Sequence, residues 1–91
     1  MIISLDEMKG YLRVDYDEDD SLIENLIESS TKLCIDISRV ESEEELEKEP
    51  NSKTAVMYAC AYMYEHREEA DYNDMLLTLR AILFGIRKDR F

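Results

Sequence analysis

Four aspartates in six residues, Asp15, Asp17, Asp19 and Asp20, form the densest set of side chains that could hold a cation. Alternating carboxylates of this kind open a calcium loop, but such a loop also needs a central glycine and a closing glutamate at fixed offsets. Here the chain runs on into Leu22-Ile23. His66 is the single histidine, flanked by Glu65, Glu69 and Asp71. A structural metal site takes about four ligands with Cys or His prominent, so His66 reads as a polar cap at a helix end. Cys34 and Cys60 have neither metal-ligand spacing nor a disulfide framework and read as small buried hydrophobes. Carboxylate pairs could serve acid–base chemistry, but with 22 acidic residues in 91 chance pairs carry no information. The chain has no glycine-rich phosphate loop and no paired histidines. It is expected to be no enzyme, with no cofactor and no metal.

The informative side chains are aromatic. Ala55-Val56-Met57-Tyr58-Ala59-Cys60-Ala61-Tyr62-Met63-Tyr64 is uncharged throughout and stops at Glu65-His66-Arg67-Glu68-Glu69. Alanine, methionine and the i, i+4 pair Tyr58/Tyr62 favour helix over strand. A helix apolar on every side must be covered on every side, and the expected extra cover is another copy of the chain or a docking partner. Tyrosine has a large apolar body and a hydroxyl that needs a partner, which suits subunit interfaces as well as cores. Tyr58, Tyr62 and Tyr64 cannot share one helix face, so at least one is expected to face outward. Arg67 and Glu68 close the segment and suit helix-end or inter-subunit pairing.

The elements that must position these residues are legible from caps and stripes. Ser4-Leu5-Asp6-Glu7 has capping-box spacing, predicting a helix over 5–12 with Leu5, Met8 and Leu12 on one face, weakened by Gly10. Asp15 to Asp20 is an acidic connector in which Asp19 or Asp20 caps the next helix. That helix runs to Ile37 on a stripe of Leu22, Ile23, Leu26, Ile27, Leu33, Cys34 and Ile37, with Ser30 as its small gap. Roughly 30 Å long, it is the expected spine. Residues 41–51 are acidic, anchored by Leu46 alone and broken by Pro50 and Asn51. They read as a solvated loop with at most a turn of helix. Ser52 is the expected N-cap of the apolar helix, over 53–68. After a polar link at 70–73, a last helix from Asp74 carries Leu76, Leu77, Leu79, Ile82, Leu83 and Phe84, with Gly85 as candidate C-cap. The fold class is all-α: a compact bundle of four to five helices with one long central helix, in a single domain over 1–91.

Charge narrows the partners. Residues 1–79 carry 7 basic and 21 acidic side chains, net −14, while residues 80–91 carry Arg80, Arg87, Lys88 and Arg90 against Asp89, net +3. An acidic body repels phosphate, which argues against ordinary duplex binding. An acidic body with a basic tail favours head-to-tail contacts between identical subunits. Cations complementing a helix dipole are the plainer reading of Arg87 and Lys88. The N-terminus has no signal-peptide pattern, and the ten-residue apolar run is too short to span a bilayer. A soluble protein made in a reducing cytoplasm is expected.

In order along the chain, these pieces resemble the small head–tail connector, or adaptor, proteins of tailed bacteriophages and prophages. The resemblance is carried by Leu5-Asp6-Glu7-Met8-Lys9-Gly10-Tyr11-Leu12-Arg13-Val14 and the acidic break. Asp20-Ser21-Leu22-Ile23-Glu24-Asn25-Leu26-Ile27-Glu28-Ser29-Ser30, then Tyr64-Glu65-His66-Arg67-Glu68 and Leu76-Leu77-Thr78-Leu79-Arg80, continue it. The link before the last helix and the basic tail depart from the family pattern. The resemblance implies a structural, non-enzymatic protein made in the bacterial host cytoplasm and resident at the virion head–tail junction. It implies a homo-oligomeric ring beneath the portal that extends the DNA channel and offers a platform to tail or stopper proteins. The isolated subunit can be a monomer. DNA passes without sequence-specific binding, and an acidic wall lets it slide. The interface residues expected from their own side-chain chemistry, and not from the family pattern, are Tyr58, Tyr62, Tyr64, Arg67, Glu68, Arg87, Lys88 and Arg90. Two readings from other classes stay open. One is an acidic inhibitor or DNA mimic acting on a basic nucleic-acid enzyme. The other is a small hydrolase using clustered carboxylates, which would need a pocket with a carboxyl group of raised pKa.

Overall fold

Local signals set the helix ends. The structure, a computed structural model, describes residues 2–68 and 72–83. Those residues form five helices and no strand: α1 (Leu5–Leu12), α2 (Asp20–Ser38), α3 (Glu43–Glu47), α4 (Ser52–Glu65) and α5 (Asn73–Leu83). The protein is all-α, and α2 is the long helix around which the others gather.

At the start of α1 the capping box is complete. Ser4 Oγ accepts the Glu7 N–H at 3.1 Å and Glu7 Oε1 accepts the Ser4 N–H at 3.0 Å. Two orphan donors of the first turn are thereby satisfied. Arg13 ends α1 in the left-handed region at φ 61°, and the Val14 N–H reaches back to the Lys9 carbonyl at 2.9 Å. This is the Schellman closure, with Val14 buried behind it. Arg39 ends α2 with a simpler left-handed closure, at φ 62°, its N–H donating to the Ile35 carbonyl at 2.9 Å, with buried Val40 following.

Ile23, Ile27, Ser30, Thr31, Cys34 and Ser38 are the buried side of α2, at spacings of three and four. Thr31 and Ser38 hide their hydroxyls by donating to the carbonyls of Ile27 and Cys34, at 2.8 and 2.7 Å. Ser30 is fully buried and its hydroxyl has no partner among the described residues.

Three boundaries differ from expectation. Residues 43–47, expected as loop with at most a turn of helix, form a five-residue helix because Ser42 Oγ accepts the Glu45 N–H at 3.2 Å and Leu46 is fully buried. Ser52 is not the cap of α4. It lies inside the first turn, buried, and donates its hydroxyl to the Glu49 carbonyl at 2.9 Å. Asn51 holds the cap position without a side-chain bond, its amide facing the Ile82 carbonyl of α5 at 3.5 Å. Finally, α4 stops at Glu65 rather than Glu68. There His66 Nδ1 sits 2.9 Å from the Tyr62 carbonyl. A carbonyl oxygen only accepts, so the Nδ1 proton caps the final turn.

The core lies where α2, α4 and α5 meet. The α2–α4 interface is the most extensive, α1 packs on α2, and α3 bridges α2 and α4. From α4 come Ala55, Val56, Ala59 and Cys60, all sealed, and Met75, Leu79 and Leu83 come from α5. Small side chains on α4 suit close packing against the isoleucines of α2. The expected link residues Ala70 and Asp71, and Phe84, Gly85 and everything after, lie outside the described residues.

Candidate assembly surface

The ten apolar residues do not behave as a uniform cylinder. Ala55, Val56, Ala59, Cys60 and Ala61 are buried within the chain, and Met57, Tyr58, Tyr62, Met63 and Tyr64 are half-buried against the same core. The fold therefore covers more of α4 than expected. Tyr58, Tyr62 and Tyr64 are each part-exposed, and they divide between two sides of the helix as their spacing requires.

Two separate arrangements result. On one side Tyr58 and Tyr62 lie with ring centroids 6.1 Å apart. Tyr62 stacks on His66 at 4.1 Å and meets Tyr72, just before α5, edge-on at 6.1 Å. This stack fixes the approach of the chain to α5. On the other side Tyr64 turns toward the aspartate-rich turn. Its hydroxyl donates to Asp19 Oδ2 at 2.6 Å, and the Tyr16 hydroxyl lies 3.3 Å from that of Tyr64 and 3.4 Å from Asp19. Arg67 lies over the Tyr64 ring at 4.9 Å from its centroid, with its guanidinium 3.8 Å from the same carboxylate. The hydrogen bond to Asp19, then that to Tyr16, holds the Tyr64 phenol well above its usual pKa. Within the chain, Arg67 thus reaches the turn before α2. Asp19 is the reason α2 lacks a side-chain cap: its carboxylate is taken up by α4.

The rest of the aspartate turn also finds its cation within the chain. Lys9 Nζ is 2.7 Å from Asp20 and 3.0 Å from Asp17. Asp20 first, then Asp17, raises the lysine pKa. A lysine ammonium occupies the place where the aspartates suggested calcium. Among the described residues no cluster of three or more His, Cys, Asp or Glu side chains is arranged for a metal. Burial pushes the Cys34 thiol up to about 12 and that of Cys60 to about 11, so neither offers a thiolate at neutral pH. The arrangement binds and braces; it offers no nucleophile with an adjacent base.

Outside these contacts, Glu68 is exposed. Among the described residues, the large apolar side chains most open to solvent are Leu77 at 61%, Tyr11 at 54% and Tyr16 at 44%. Sequence reasoning singled out none of them, because each lies on an otherwise amphipathic or acidic element. Arg87, Lys88 and Arg90 lie outside the described residues.

With this geometry in place, the comparison with known families is decisive. The family described as phage gp6-like head-tail connector protein matches residues 2–89. The chain belongs to that family. The match covers all five helices, so the connector family is a property of the whole fold and not of one motif. It is a family of phage structural proteins and not of enzymes. Among the described residues, no helix of this connector is long and apolar enough to cross a membrane. No curated protein and no solved structure matches the chain.

Proposed function

We propose that this chain is the subunit of a connector ring that sits beneath the portal of a tailed phage or prophage. The ring extends the DNA channel and receives the next tail or stopper protein. The whole chain acts as one domain, built in the host cytoplasm and carried at the head–tail junction of the virion. The observation that carries this reading is the family match across residues 2–89.

Charge and packing support it. A net charge of −11 keeps a channel wall repulsive to phosphate, so that DNA slides instead of sticking. A body of −14 with a tail of +3 suits heterologous contacts, which close into a ring when the rotation between copies closes. Tyr64 and Arg67 brace the subunit from within. Glu68 and the tail cations Arg87, Lys88 and Arg90 are then the charged groups that meet a neighbour or the portal. Tyr58 and Tyr62 hold the α4–α5 corner against which that neighbour packs.

Removing the gene from a phage that carries it tests the reading at the level of the virion. Filled heads and finished tails that fail to join are expected. Normal numbers of joined, infectious particles would overturn it.

A further inference from the structure

We propose that the groove between α2 and α3 receives the C-terminal segment, residues 84–91, of a second copy of this chain. The inference rests on the connector reading and names the contact by which its subunits associate.

The groove has a volume of about 390 Å³ and is lined by Ile27, Glu28, Thr31, Lys32, Ile35 and Glu43. Its floor is apolar. Thr31 turns its hydroxyl back to the Ile27 carbonyl at 2.8 Å, and with both of these residues buried, half-buried Ile35 is the apolar side chain that reaches the surface there. Its rim is charged, with Glu28 on α2 and Glu43 on α3. The neighbouring Glu44 and Glu47 are also exposed. Lys32 is the single cation of the lining. An apolar floor between carboxylates fits a short basic segment that also carries apolar side chains.

Residues 84–91 read Phe84-Gly85-Ile86-Arg87-Lys88-Asp89-Arg90-Phe91. Three cations face two rim carboxylates, Asp89 supplies an anion for Lys32, and Ile86 and Phe91 suit the floor. The segment follows Leu83, which is buried in the core. Eight residues reach at most about 26–29 Å when extended. Every copy then offers one groove and one segment, a heterologous pairing that propagates around a closed ring.

The test uses the full chain carrying Arg87→Glu, Lys88→Glu and Arg90→Glu, whose own segment cannot compete. A fluorescent peptide of residues 84–91 is titrated into it and followed by anisotropy. Saturable binding is expected, weakened roughly tenfold when Glu28→Lys and Glu43→Lys are added. A peptide with glutamate at its three basic positions should bind the groove-reversed chain, which carries Glu28→Lys and Glu43→Lys with its ordinary basic tail and whose own segment therefore cannot compete. If the lysine variants fail to fold by circular dichroism, Glu28→Gln with Glu43→Gln replaces them, and a smaller weakening is expected. No binding, or binding indifferent to the groove substitutions, overturns the proposal. So does a peptide that binds duplex DNA but not the protein. For the source of the segment, the tail-reversed and groove-reversed full chains are mixed. Each alone should fail to associate, and the mixture should recover. A tail-reversed chain that still assembles normally overturns this inference and leaves the connector reading standing. A wild-type chain that never multimerises beside a portal overturns the connector reading, and the peptide titration is read independently of it.

Discussion

Tyr64, in the last turn of α4, donates its hydroxyl to Asp19, the residue that opens α2, at 2.6 Å across 45 positions of sequence. One bond thereby ties the far end of the apolar helix to the turn that feeds the spine. Arg67 and Tyr16 converge on the same carboxylate. A hydrogen bond to a charged acceptor at a half-buried site contributes about 1 kcal/mol net. Tyr64→Phe and Asp19→Ala should each lower stability in urea by about that amount, with the double variant losing less than the sum. Strictly additive losses would show that the two residues act independently.

The same bond contributes to the pH dependence of stability on the alkaline side. The Tyr64 phenol is raised above its ordinary 10.0 and the Lys9 ammonium above its ordinary 10.5. Both contributions are complete below those values and vanish as pH climbs through the raised ones. On the acid side the Glu7 carboxyl is lowered from 4.5, chiefly by its bond from Lys53. That contribution is present above 4.5 and fades as pH falls through the lowered value. Stability measured against pH should therefore fall at both ends, and Tyr64→Phe should soften only the alkaline fall. Ultraviolet titration should show one tyrosine, absent in Tyr64→Phe, ionising after the others.

α1 carries one optimised position and one weak one. Ser4→Ala removes a cap and should cost about 1 kcal/mol. Gly10 lies on the exposed side, without positive φ, and an added Cβ meets nothing within 4 Å. Gly10→Ala should stabilise by roughly 0.5–1 kcal/mol, partly by restricting the unfolded chain. Thermal melts of the two variants should move in opposite directions.

The inner side of α2 gives a sharper contrast. Ile27 is 1% exposed, and Ile27→Ala should cost about 2–5 kcal/mol through the cavity it leaves. Three residues on, Ser30 is buried with a hydroxyl that finds no partner among the described residues. Ser30→Ala should raise stability by about 1 kcal/mol, because it removes a buried polar group without opening a cavity. Denaturant midpoints of the two variants decide it.

The elements legible in the sequence are those fixed by neighbours in sequence. Ser4 and Glu7 announce their own capping box, and the α2 stripe of Ile23, Ile27 and Cys34 announces its buried side. The short α3 carried the same kind of signal, with Ser42 three residues before Glu45, but its acidity and the nearby Pro50 masked it. Ser52 misled because two good capping residues, Asn51 and Ser52, stand side by side, and only the turn from Glu49 decides between them. The aspartate turn was illegible in principle. Lys9 with Asp17 and Asp20, and Asp19 with Tyr64, meet only once α1, α2 and α4 are packed, and no spacing rule encodes that. The family was legible because it rests on the order of many weak local signals.

Sedimentation of the full chain over a concentration series, alone and with the purified portal protein of the same phage, tests the central claim most directly. The connector account predicts that several copies move together with each portal ring, whether or not the chain alone stays monomeric. A chain that remains a single-copy species at every concentration, and never travels with the portal, would contradict it.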